Sequence, residues 1–526
     1  MAITTFDNLK TQLMSFILRD YQEEATQASV DILTSKNKTY KQLVISPTAG
    51  GKSIIVAETV KRIDTPVIVL QPSKELLLQN YEKFVKVGGK ASICCASLKV
   101  KTEKGIDYAR LASGEFIECR SISKVTYATV GTVKKYAAEL KKLGVKKAII
   151  DEAHLSTKAG SQVRQLFKDI GITHIVGLTA TPLYLEGGMN GASLKMMNRA
   201  RWKMFTGIKY ITQISELVEK GFWSKLLYQV NDTDETYLQE NSNGSDFTVQ
   251  SQKNYYEANN LKEQITEEVS NLIAQGRKSI LVFVPTIAEA EELYASFPNS
   301  ATVHSKMRTV DRDYVVKAFK DLTIPVVFNV NVLSVGFDHP ELDAIITSRS
   351  TNSIALFYQQ IGRGVRIHPD KEDCKIVDFS GNVKRFGRVE GLHFQDLPHY
   401  GWGLFNDKNE LLTDFPIAGE IRPTKDSLKE AAIEEKRKDK ELAENKSNPM
   451  FTFGMFKGKK LWDIAQGSEA VRFKSYCSWL YDKHQKGEWN FYGEEGRILK
   501  AGIVEYLRVP GRNLKPITQS VSTSAP

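Results

Sequence analysis

The sequence predicts an α/β fold with two parallel-sheet lobes in tandem and a small C-terminal module. Short β-branched apolar runs alternate with helix-period stretches from residue 42 to residue 178, and the same alternation returns from 279 to 378. This alternation is typical of parallel strands whose two faces are covered by helices. The length of 526 residues is enough for two or three domains of ~100–200 residues each.

Composition and charge exclude several classes of protein. No apolar run approaches the ~18–20 residues of a membrane span, and Asp7 and Lys10 stand where a secretory signal would be apolar. The five cysteines are scattered and odd in number, so we expect neither a disulfide framework nor a structural zinc site. A reducing cytosol is therefore the expected compartment. The net charge of +10 permits a polyanionic partner without requiring one.

The first lobe is assigned to residues 1–222. Its strand candidates are the apolar runs 42–46, 66–71, 91–96, 124–128, 147–151 and 174–178. Helices are expected at 53–63 and 73–85, where apolar residues recur with helical spacing. The polar stretch 223–262, which contains Asn241-Ser-Asn-Gly-Ser245, is predicted to be a connector with a flexible loop.

The second lobe is assigned to residues 263–420. Its strand candidates are 279–285, 301–304, 326–330, 344–348 and 374–378. The highly charged stretch 421–449 predicts a solvated helical linker. Beyond it, the aromatic-rich stretch 450–510 predicts a compact module, and the Ser/Thr-rich stretch 511–526 predicts a disordered tail.

A phosphate-binding loop is predicted at Ser46-Pro-Thr-Ala-Gly-Gly-Lys-Ser53, directly after a strand and at the start of a helix. Backbone N–H groups can converge there on a polyphosphate, because the glycines leave the approach open. Lys52 would reach the β- and γ-phosphates, and the Ser53 hydroxyl would bind Mg²⁺. Ser46 departs from the strict pattern, which has glycine at that position. The predicted nucleotide contacts in this loop are Thr48, Gly50, Gly51, Lys52 and Ser53.

Asp151-Glu-Ala-His154 follows an apolar strand, whose carboxyl end is where α/β sheets place their chemistry. Asp151 is placed to hold Mg²⁺ through water, and Glu152 to orient and deprotonate the attacking water. A lone Asp-Glu pair would more often be an ordinary acidic strand end. With a phosphate-binding loop upstream in the same lobe, the pair predicts Mg²⁺-dependent hydrolysis of a nucleoside triphosphate.

From residue 18 to residue 383 the chain carries an ordered set of motifs and resembles the superfamily 2 helicases, which have two RecA-like lobes. Leu18-Arg-Asp-Tyr-Gln22 looks like their adenine-reading motif, with Gln22 as the base contact. The stretches 71–76 and 128–132 look like strand-contacting motifs, 151–154 like the DEAH form of motif II, and 177–182 like the motif that couples ATP state to strand binding. The resemblance implies a coupling role for His154, Thr179, Thr181 and Gln359.

Two more motifs of this family lie in the second lobe. Gly336-Phe-Asp338 matches the end of motif V, where the family's aspartate contacts the ribose. Tyr358-Gln-Gln-Ile-Gly-Arg-Gly-Val-Arg366 matches motif VI. Arg363 and Arg366 can then stabilise charge on the transferring γ-phosphate, but only when the second lobe closes on the first. Val330 stands where many relatives have a threonine that contacts the nucleic-acid backbone.

Within the superfamily, the stretches 329–340, 358–366 and 377–382 look most like the bacterial RadD-type and phage UvsW-type repair helicases. RadD-type proteins typically end in a cysteine-rich zinc region, where this chain has only Cys477. The resemblance implies DNA as the partner, single-stranded or branched, in a bacterial cytosol or a phage-infected host. Hydroxyls at strand ends are expected to hold the strand through its phosphates. The candidates are Ser73, Thr129, Thr132 and Thr286.

The C-terminal stretch 448–526 carries 12 basic and seven acidic residues, a net charge of +5 that is half of the whole chain's excess. Its aromatic-rich strings 451–462 and 476–481 resemble a small module found at the ends of exodeoxyribonuclease X-type proteins and some phage proteins. Aromatic rings between lysines suit stacking on bases beside phosphate contacts. A small aromatic core with a basic rim explains the same pattern equally well.

Four functions compete at this point. The first is an ATP-dependent DNA helicase or translocase in repair, recombination or replication, and the second is the motor part of a nuclease such as a restriction subunit. No Asp…Glu-x-Lys nuclease pattern supports the second. The third is an RNA helicase, because the motifs themselves do not separate DNA from RNA. The fourth, a nucleic-acid binder with a relic ATP site, is disfavoured because every residue that the hydrolysis needs is present.

Overall fold

The computed structural model describes residues 17–156, 160–188, 191–200, 203–242, 244–334, 336–397, 401–413, 449–451, 454–486, 488, 491 and 493–508. Residue contacts divide the chain into two compact units, Met1–Arg422 and Pro423–Pro526. The N-terminal segment 1–15, the predicted tail and the predicted linker (apart from Pro449) lie outside the described residues.

The first half of the chain alternates strands and helices. Its strands are β1 (Tyr40–Ile45), β2 (Val67–Leu70), β3 (Ser92–Cys94), β4 (Lys101–Glu103), β5 (Ile106–Arg110), β6 (Phe116–Glu118), β7 (Val125–Ala128), β8 (Lys147–Ile150), β9 (His174–Thr179), β10 (Leu183–Gly188), β11 (Gly191–Met196) and β12 (Gly207–Ile211). Its α-helices are α1 (Asp20–Thr34), α2 (Lys52–Arg62), α3 (Lys74–Lys86), α4 (Val130–Val133), α5 (Ala137–Lys142), α6 (Ala153–Ser156), α7 (Gln162–Ile170) and α8 (Ile214–Glu219).

The first sheet has seven strands in the order β12-β1-β9-β8-β2-β7-β3, and every neighbouring pair is parallel. All six strands predicted for this lobe are present. β2 is buried at all four positions, and burying a side chain of this kind contributes about 1.5–3 kcal/mol. Because the strands run the same way, the loops after β1, β2, β7 and β8 meet at one edge of the sheet.

Two features of this lobe were not predicted from the sequence. β12 is an edge strand, and β4, β5 and β6 form a separate antiparallel sheet between β3 and β7. These strands are three to five residues long and mostly half-exposed. They therefore lack the continuous apolar runs that identify buried parallel strands.

The second half of unit 1 repeats the same architecture. Its strands are β13 (Lys225–Val230), β14 (Ile280–Phe283), β15 (Ser300–Val303), β16 (Val326–Asn329), β17 (Ala344–Thr347), β18 (Asp373–Asp378), β19 (His393–Leu397) and β20 (Gly401–Phe405). Its α-helices are α9 (Val249–Ala258), α10 (Leu261–Ala274), α11 (Ile287–Ser296), α12 (Thr309–Lys320), α13 (Ile354–Ile361) and α14 (Asn382–Phe386).

The second sheet has six parallel strands in the order β13-β18-β17-β14-β16-β15. The five strands predicted for the second lobe are all in it. The sixth, β13, lies inside 223–262, so that segment is not only a connector: it supplies an edge strand and helix α9. β13 is half-exposed along its length, so its sequence does not have the pattern of a buried strand and the strand was not predicted. A single hydrophobic cluster contains residues of both halves of unit 1.

Unit 2 contains three described helices, α15 (Leu461–Ala465), α16 (Ala470–Gln485) and α17 (Gly493–Arg508). Their core is built on Phe451, Phe456 and Phe473, which are all buried. The stacking role considered for the aromatic residues of this module is therefore wrong for Phe451 and Phe456. Trp479 remains exposed, at 52%, and stacks on Tyr476. None of the helices described for the chain is long and apolar enough to cross a membrane.

Candidate active site between the two lobes

The loop after β1 has a tight backbone conformation that depends on its two glycines, Gly50 and Gly51. Gly51 has φ +83°, and a Cβ there would lie 2.3 Å from the Gln22 side chain. A Cβ at Gly50 would lie 2.6 Å from Ser46 Oγ. Ser46 is fully buried beneath the loop, so the departure from the usual glycine does not obstruct the open face. α2 begins at Lys52, which places a helix N-terminus at the same point and favours an anion there.

The acidic pair after β8 lies against this loop. Lys52 Nζ is 3.2 Å from Glu152 Oε1. Asp151 is buried, and its carboxylate accepts hydrogen bonds from Asn80 Nδ2 (2.9 Å) and from the Glu152 backbone N–H (3.0 Å). Glu152 has φ +46°, a left-handed conformation that costs roughly 1–3 kcal/mol for a residue with a Cβ. Asn80 on α3 was not predicted as a site residue, and nothing local in its sequence marks it.

The protonation of this pair follows from its surroundings. Burial and the neighbouring Glu152 charge raise the pKa of Asp151 above its ordinary value. Burial alone would raise the pKa of Glu152 as well, but the Lys52 ammonium, with smaller contributions from His154 and Arg363, lowers it. Glu152 is therefore held as a carboxylate beside an ammonium, which is the state that a general base needs.

The chemistry of these residues suits Mg²⁺ and an attacking water. Asp151 and Ser53 offer carboxylate and hydroxyl oxygens, the donors that Mg²⁺ prefers. Glu152 Oε2 is buried and has no hydrogen-bond partner among the described residues. A polar atom in that position needs a partner, and a water or a metal-bound water can supply it. The described residues contain no group of three or more His, Cys, Asp or Glu side chains placed to hold a metal ion, so the Mg²⁺ would also need phosphate oxygens.

The second lobe supplies two arginines to the same cleft. Arg363, Arg366, Lys52 and Glu152 all line it. Arg363 Nη1 donates to Phe337 O (2.7 Å), and its Nε donates to Gln359 O (3.2 Å). Arg366 Nε lies 2.8 Å from the Asp338 carboxylate, so the residue predicted to contact ribose pairs here with an arginine. Arg366 Nη1 is buried and has no hydrogen-bond partner in the described part of the chain.

The backbone of Thr48 connects the phosphate-binding loop to the opposite side of the cleft. Its N–H donates to the Tyr358 hydroxyl at 3.0 Å, and its carbonyl accepts from Trp223 Nε1 at 3.1 Å. A Cβ at Gly362 would lie 2.9 Å from Thr48 Cγ2. Tyr358 stands inside the motif VI string but has no predicted role, and Trp223 carries no sequence signal. Both are therefore site residues that the structure adds.

A polar chain crosses between the lobes. His154 Nδ1 lies 2.8 Å from Thr179 Oγ1, and His154 Nε2 lies 2.9 Å from Gln359 Nε2. Thr179 Oγ1 also accepts the Thr181 backbone N–H at 3.0 Å. The structure thus brings all four residues assigned to coupling into one hydrogen-bonded series. His154 joins the acidic pair of the first lobe to motif VI of the second.

Gln22 contacts the phosphate-binding loop itself. Its Nε2 donates to Gly50 O (3.2 Å), and its Oε1 accepts the Arg19 backbone N–H (3.1 Å). The Arg19 guanidinium lies 3.7 Å from the centre of the Phe222 ring, and both residues line the cleft. An adenine contact by Gln22 would therefore replace or extend a bond that the amide already makes to the loop.

The four hydroxyls proposed to hold a nucleic-acid strand stand at helix N-termini that follow strands. Three are already used within the protein: Ser73 Oγ accepts from Leu76 N (3.3 Å), Thr132 Oγ1 accepts from Ala96 N (2.9 Å), and Thr129 Oγ1 donates to Thr132 Oγ1 (3.5 Å). Thr129 precedes α4 and Thr286 precedes α11. Val330 is buried, so it offers no polar contact in place of the usual threonine.

Two family models match this chain, and they match the two lobes in order. Residues 15–183 match the family described as type III restriction enzyme, res subunit. Residues 262–368 match the helicase conserved C-terminal domain. Together the matches span about half of the chain. The chain belongs to the superfamily 2 helicases.

This helicase is also similar to proteins of known sequence. The Saccharomyces cerevisiae protein named as ATP-dependent helicase IRC3 is 25% identical over 380 residues, which are 69% of this chain and 52% of that protein. A 51.5 kDa protein of a Lactococcus phage is 23% identical over 504 residues, 91% of this chain and 98% of that one. The helicase thus spans about half the length of the yeast relative and nearly all of the phage protein.

Solved structures with a similar arrangement include both DNA-bound and RNA-bound proteins. The type ISP restriction-modification enzyme LlaBIII bound to DNA has 17% identity and a TM-score of 0.46, over 69% of this chain and 27% of that one. Saccharomyces cerevisiae Dbp5 bound to RNA and ADP BeF3 has 18% identity and a TM-score of 0.43, over 69% of this chain and 83% of that one.

Proposed function

We propose that this protein is an ATP-dependent DNA helicase or translocase that moves on, unwinds or remodels DNA in repair, recombination or replication. The observation that carries the proposal is the composition of one cleft. Lys52 and Glu152 enter it from the first lobe, and Arg363 and Arg366 enter it from the second. A nucleotide held there would contact both lobes at once, so hydrolysis would change how they are held together.

The residues divide the reaction between them. Lys52 and the backbone N–H groups of the loop would bind the phosphates, while Asp151 and Ser53 would hold Mg²⁺, which neutralises charge on the phosphates. Glu152 would orient the attacking water and accept its proton at Oε2, which makes no hydrogen bond within the described residues. Arg366 Nη1 would bind the γ-phosphate as charge develops on it, because that atom is buried and unused.

DNA is proposed over RNA on the resemblance of motifs V and VI to RadD-type and UvsW-type repair helicases. The division into lobes 1–222 and 263–420, a linker 421–449, a module 450–510 and a tail 511–526 is part of the same proposal, with 223–262 as the junction. We further propose that the module, which resembles that of exodeoxyribonuclease X-type proteins, adds DNA affinity through its positive charge.

A second candidate is the motor subunit of a restriction system, which the match of residues 15–183 to a restriction-enzyme subunit favours. Such a motor would use the same cleft and would need a nuclease supplied elsewhere. Mg²⁺-dependent cleavage of DNA by the purified chain, alone or with a modification partner, would support this second function.

ATP turnover with different polymers tests the first proposal. We expect single-stranded or branched DNA to stimulate ATP hydrolysis more strongly than RNA of the same length and sequence. Glu152→Gln provides the background rate in the same assay. Stronger stimulation by RNA would replace the proposal with an RNA helicase, and the absence of any stimulation would contradict both.

A further inference from the structure

Lys371 lies in the loop between α13 and β18, and its ammonium donates to three backbone carbonyls. The acceptors are Gly364 O at 2.7 Å, Arg366 O at 2.8 Å and Pro340 O at 3.4 Å. A lysine ammonium has three N–H donors, so each donor has its own acceptor. Lys371 itself does not line the nucleotide cleft.

Two of the acceptors belong to the segment that carries the arginines. α13 ends at Ile361, and the chain continues in tight turns through Arg363 and Gly364. A Cβ at Gly364 would lie 2.5 Å from Cys374 Sγ. The segment therefore packs directly on β18, and Lys371 binds its backbone from the following loop.

The third acceptor belongs to motif V. Pro340 is two residues from Asp338, whose carboxylate lies 2.8 Å from Arg366 Nε. One ammonium thus binds the backbone on both sides of the Asp338–Arg366 pair. A tight turn brings it there, since the Lys371 N–H donates to His368 O at 3.1 Å. Burial lowers the pKa of Lys371, and the nearby Cys374 and Asp343 oppose that shift.

We infer that Lys371 is a positioning residue for the arginines of motif VI, and that it fixes Arg366 relative to Asp338 and to the γ-phosphate. The inference rests on the proposed ATPase function. Lys371 lies outside the lining of the nucleotide cleft and acts only through the backbone that it binds. Losing it would leave Lys52, Asp151 and Glu152 unchanged, so ATP would still bind and the chemical step would slow.

The test compares Lys371→Met with Lys371→Arg and with Lys384→Met, a control at an exposed lysine on α14. We expect Lys371→Met to lower the nucleic-acid-stimulated kcat by about 10–100-fold, because misplacement of a catalytic group by ~1 Å has an effect of that size. The KM for ATP should change by no more than about twofold. Lys371→Arg, which keeps the cation, should restore part of kcat, and Lys384→Met should match the wild type.

A double variant separates positioning from general stability. If Lys371 acts only through Arg366, then Arg366→Ala combined with Lys371→Met should be no slower than Arg366→Ala alone. Multiplied losses in the double variant, or a loss confined to KM, would overturn the inference. Should Lys371→Met not fold, the same cycle with Lys371→Gln, which removes the charge but keeps a polar side chain, decides the question. A wild-type protein without stimulated ATPase would instead contradict the proposed function itself.

Discussion

Glu152 has a largely buried side chain, pairs with the charged Lys52 and has a strained backbone. Its left-handed backbone (φ +46°) turns the carboxylate from the end of β8 toward Lys52, and Oε2 makes no hydrogen bond within the described residues, although His154 Nδ1 lies 3.6 Å away. Strain of this kind persists where the surrounding structure fixes the residue. Here the Asp151 carboxylate accepts the Glu152 N–H, and Asn80 in turn holds Asp151.

Replacing Glu152 by glutamine removes the base and keeps the shape of the side chain. We expect Glu152→Gln to lower ATP turnover by about 10²–10⁴-fold, the usual contribution of a general base. The variant should still bind ATP and remain folded. Glu263→Gln, at an exposed position on α10, is the matched control and should hydrolyse ATP at the wild-type rate. Turnover near the wild-type value in Glu152→Gln would remove Glu152 from the mechanism.

A second residue-scale prediction concerns His339, which lies directly after Asp338. It is 2% exposed, with Nε2 2.7 Å from Ser279 Oγ and its ring against Phe319. Burial lowers its pKa to about 4, and Lys320 adds to the effect, although the nearby Glu341 opposes it. His339 is therefore neutral in the folded protein at pH 5, whereas the unfolded chain binds a proton there.

Because the unfolded chain binds the extra proton, the free energy of unfolding should fall as pH falls from ~6.5 to ~4. The fall attributable to His339 should approach about 3 kcal/mol at the acid end of this window. Urea unfolding at pH 7 and pH 5 measures it. His339→Gln, which can keep the bond to Ser279, should lose this part of the pH dependence. An unchanged pH dependence in that variant would show that His339 is protonated in the folded state.

At the scale of elements, the strands that hold the site could be predicted and several others could not. β1, β2, β7, β8 and β9 are continuous apolar runs because helices cover both of their faces. β12, β13 and the β4–β6 sheet are edge or exposed strands, whose sequences carry no such run. Site residues such as Lys52 and Arg363 could be predicted because each stands in a local sequence motif.

Contacts between distant elements are what the sequence could not reveal. Asn80 reaches Asp151 across 71 positions, and Tyr358 reaches Thr48 across 310. Neither side chain belongs to a motif that assigns it a partner. The folding of the first lobe brings Asn80 to Asp151, whereas the contact of the second lobe with the first brings Tyr358 to Thr48, and both are properties of the tertiary structure.

The polar series between α6 and α13 leads to a prediction for this pair of elements. His154→Ala and Gln359→Ala should each reduce the stimulation of ATPase by nucleic acid more than they reduce ATP binding. Because the two side chains lie 2.9 Å apart, their effects should not add: an interaction free energy of about 0.5–3 kcal/mol is typical of residues in contact. A double-mutant cycle on the stimulated kcat measures this value. Strictly additive losses would show that the two lobes communicate by another route.

At the scale of the whole molecule, charge is unevenly divided along the chain. Residues 448–526 carry half of the net charge of +10, and the described part of unit 2 folds around its own aromatic core. Deleting 448–526 should weaken DNA binding and flatten its dependence on salt, because fewer counterions are then released. Binding isotherms at several salt concentrations measure the slope. An identical slope in the truncated protein would show that the module does not bind phosphates.

The central claim is that ATP hydrolysis requires arginines from the second lobe in the cleft of the first. The most direct measurement is ATP turnover by Arg363→Ala with saturating DNA, together with ATP binding by the same variant. We expect ATP to bind and turnover to fall by about 10³-fold or more, as when an arginine finger is lost. Wild-type turnover in both Arg363→Ala and Arg366→Ala would contradict the claim, because ATP would then be hydrolysed without an arginine of the second lobe.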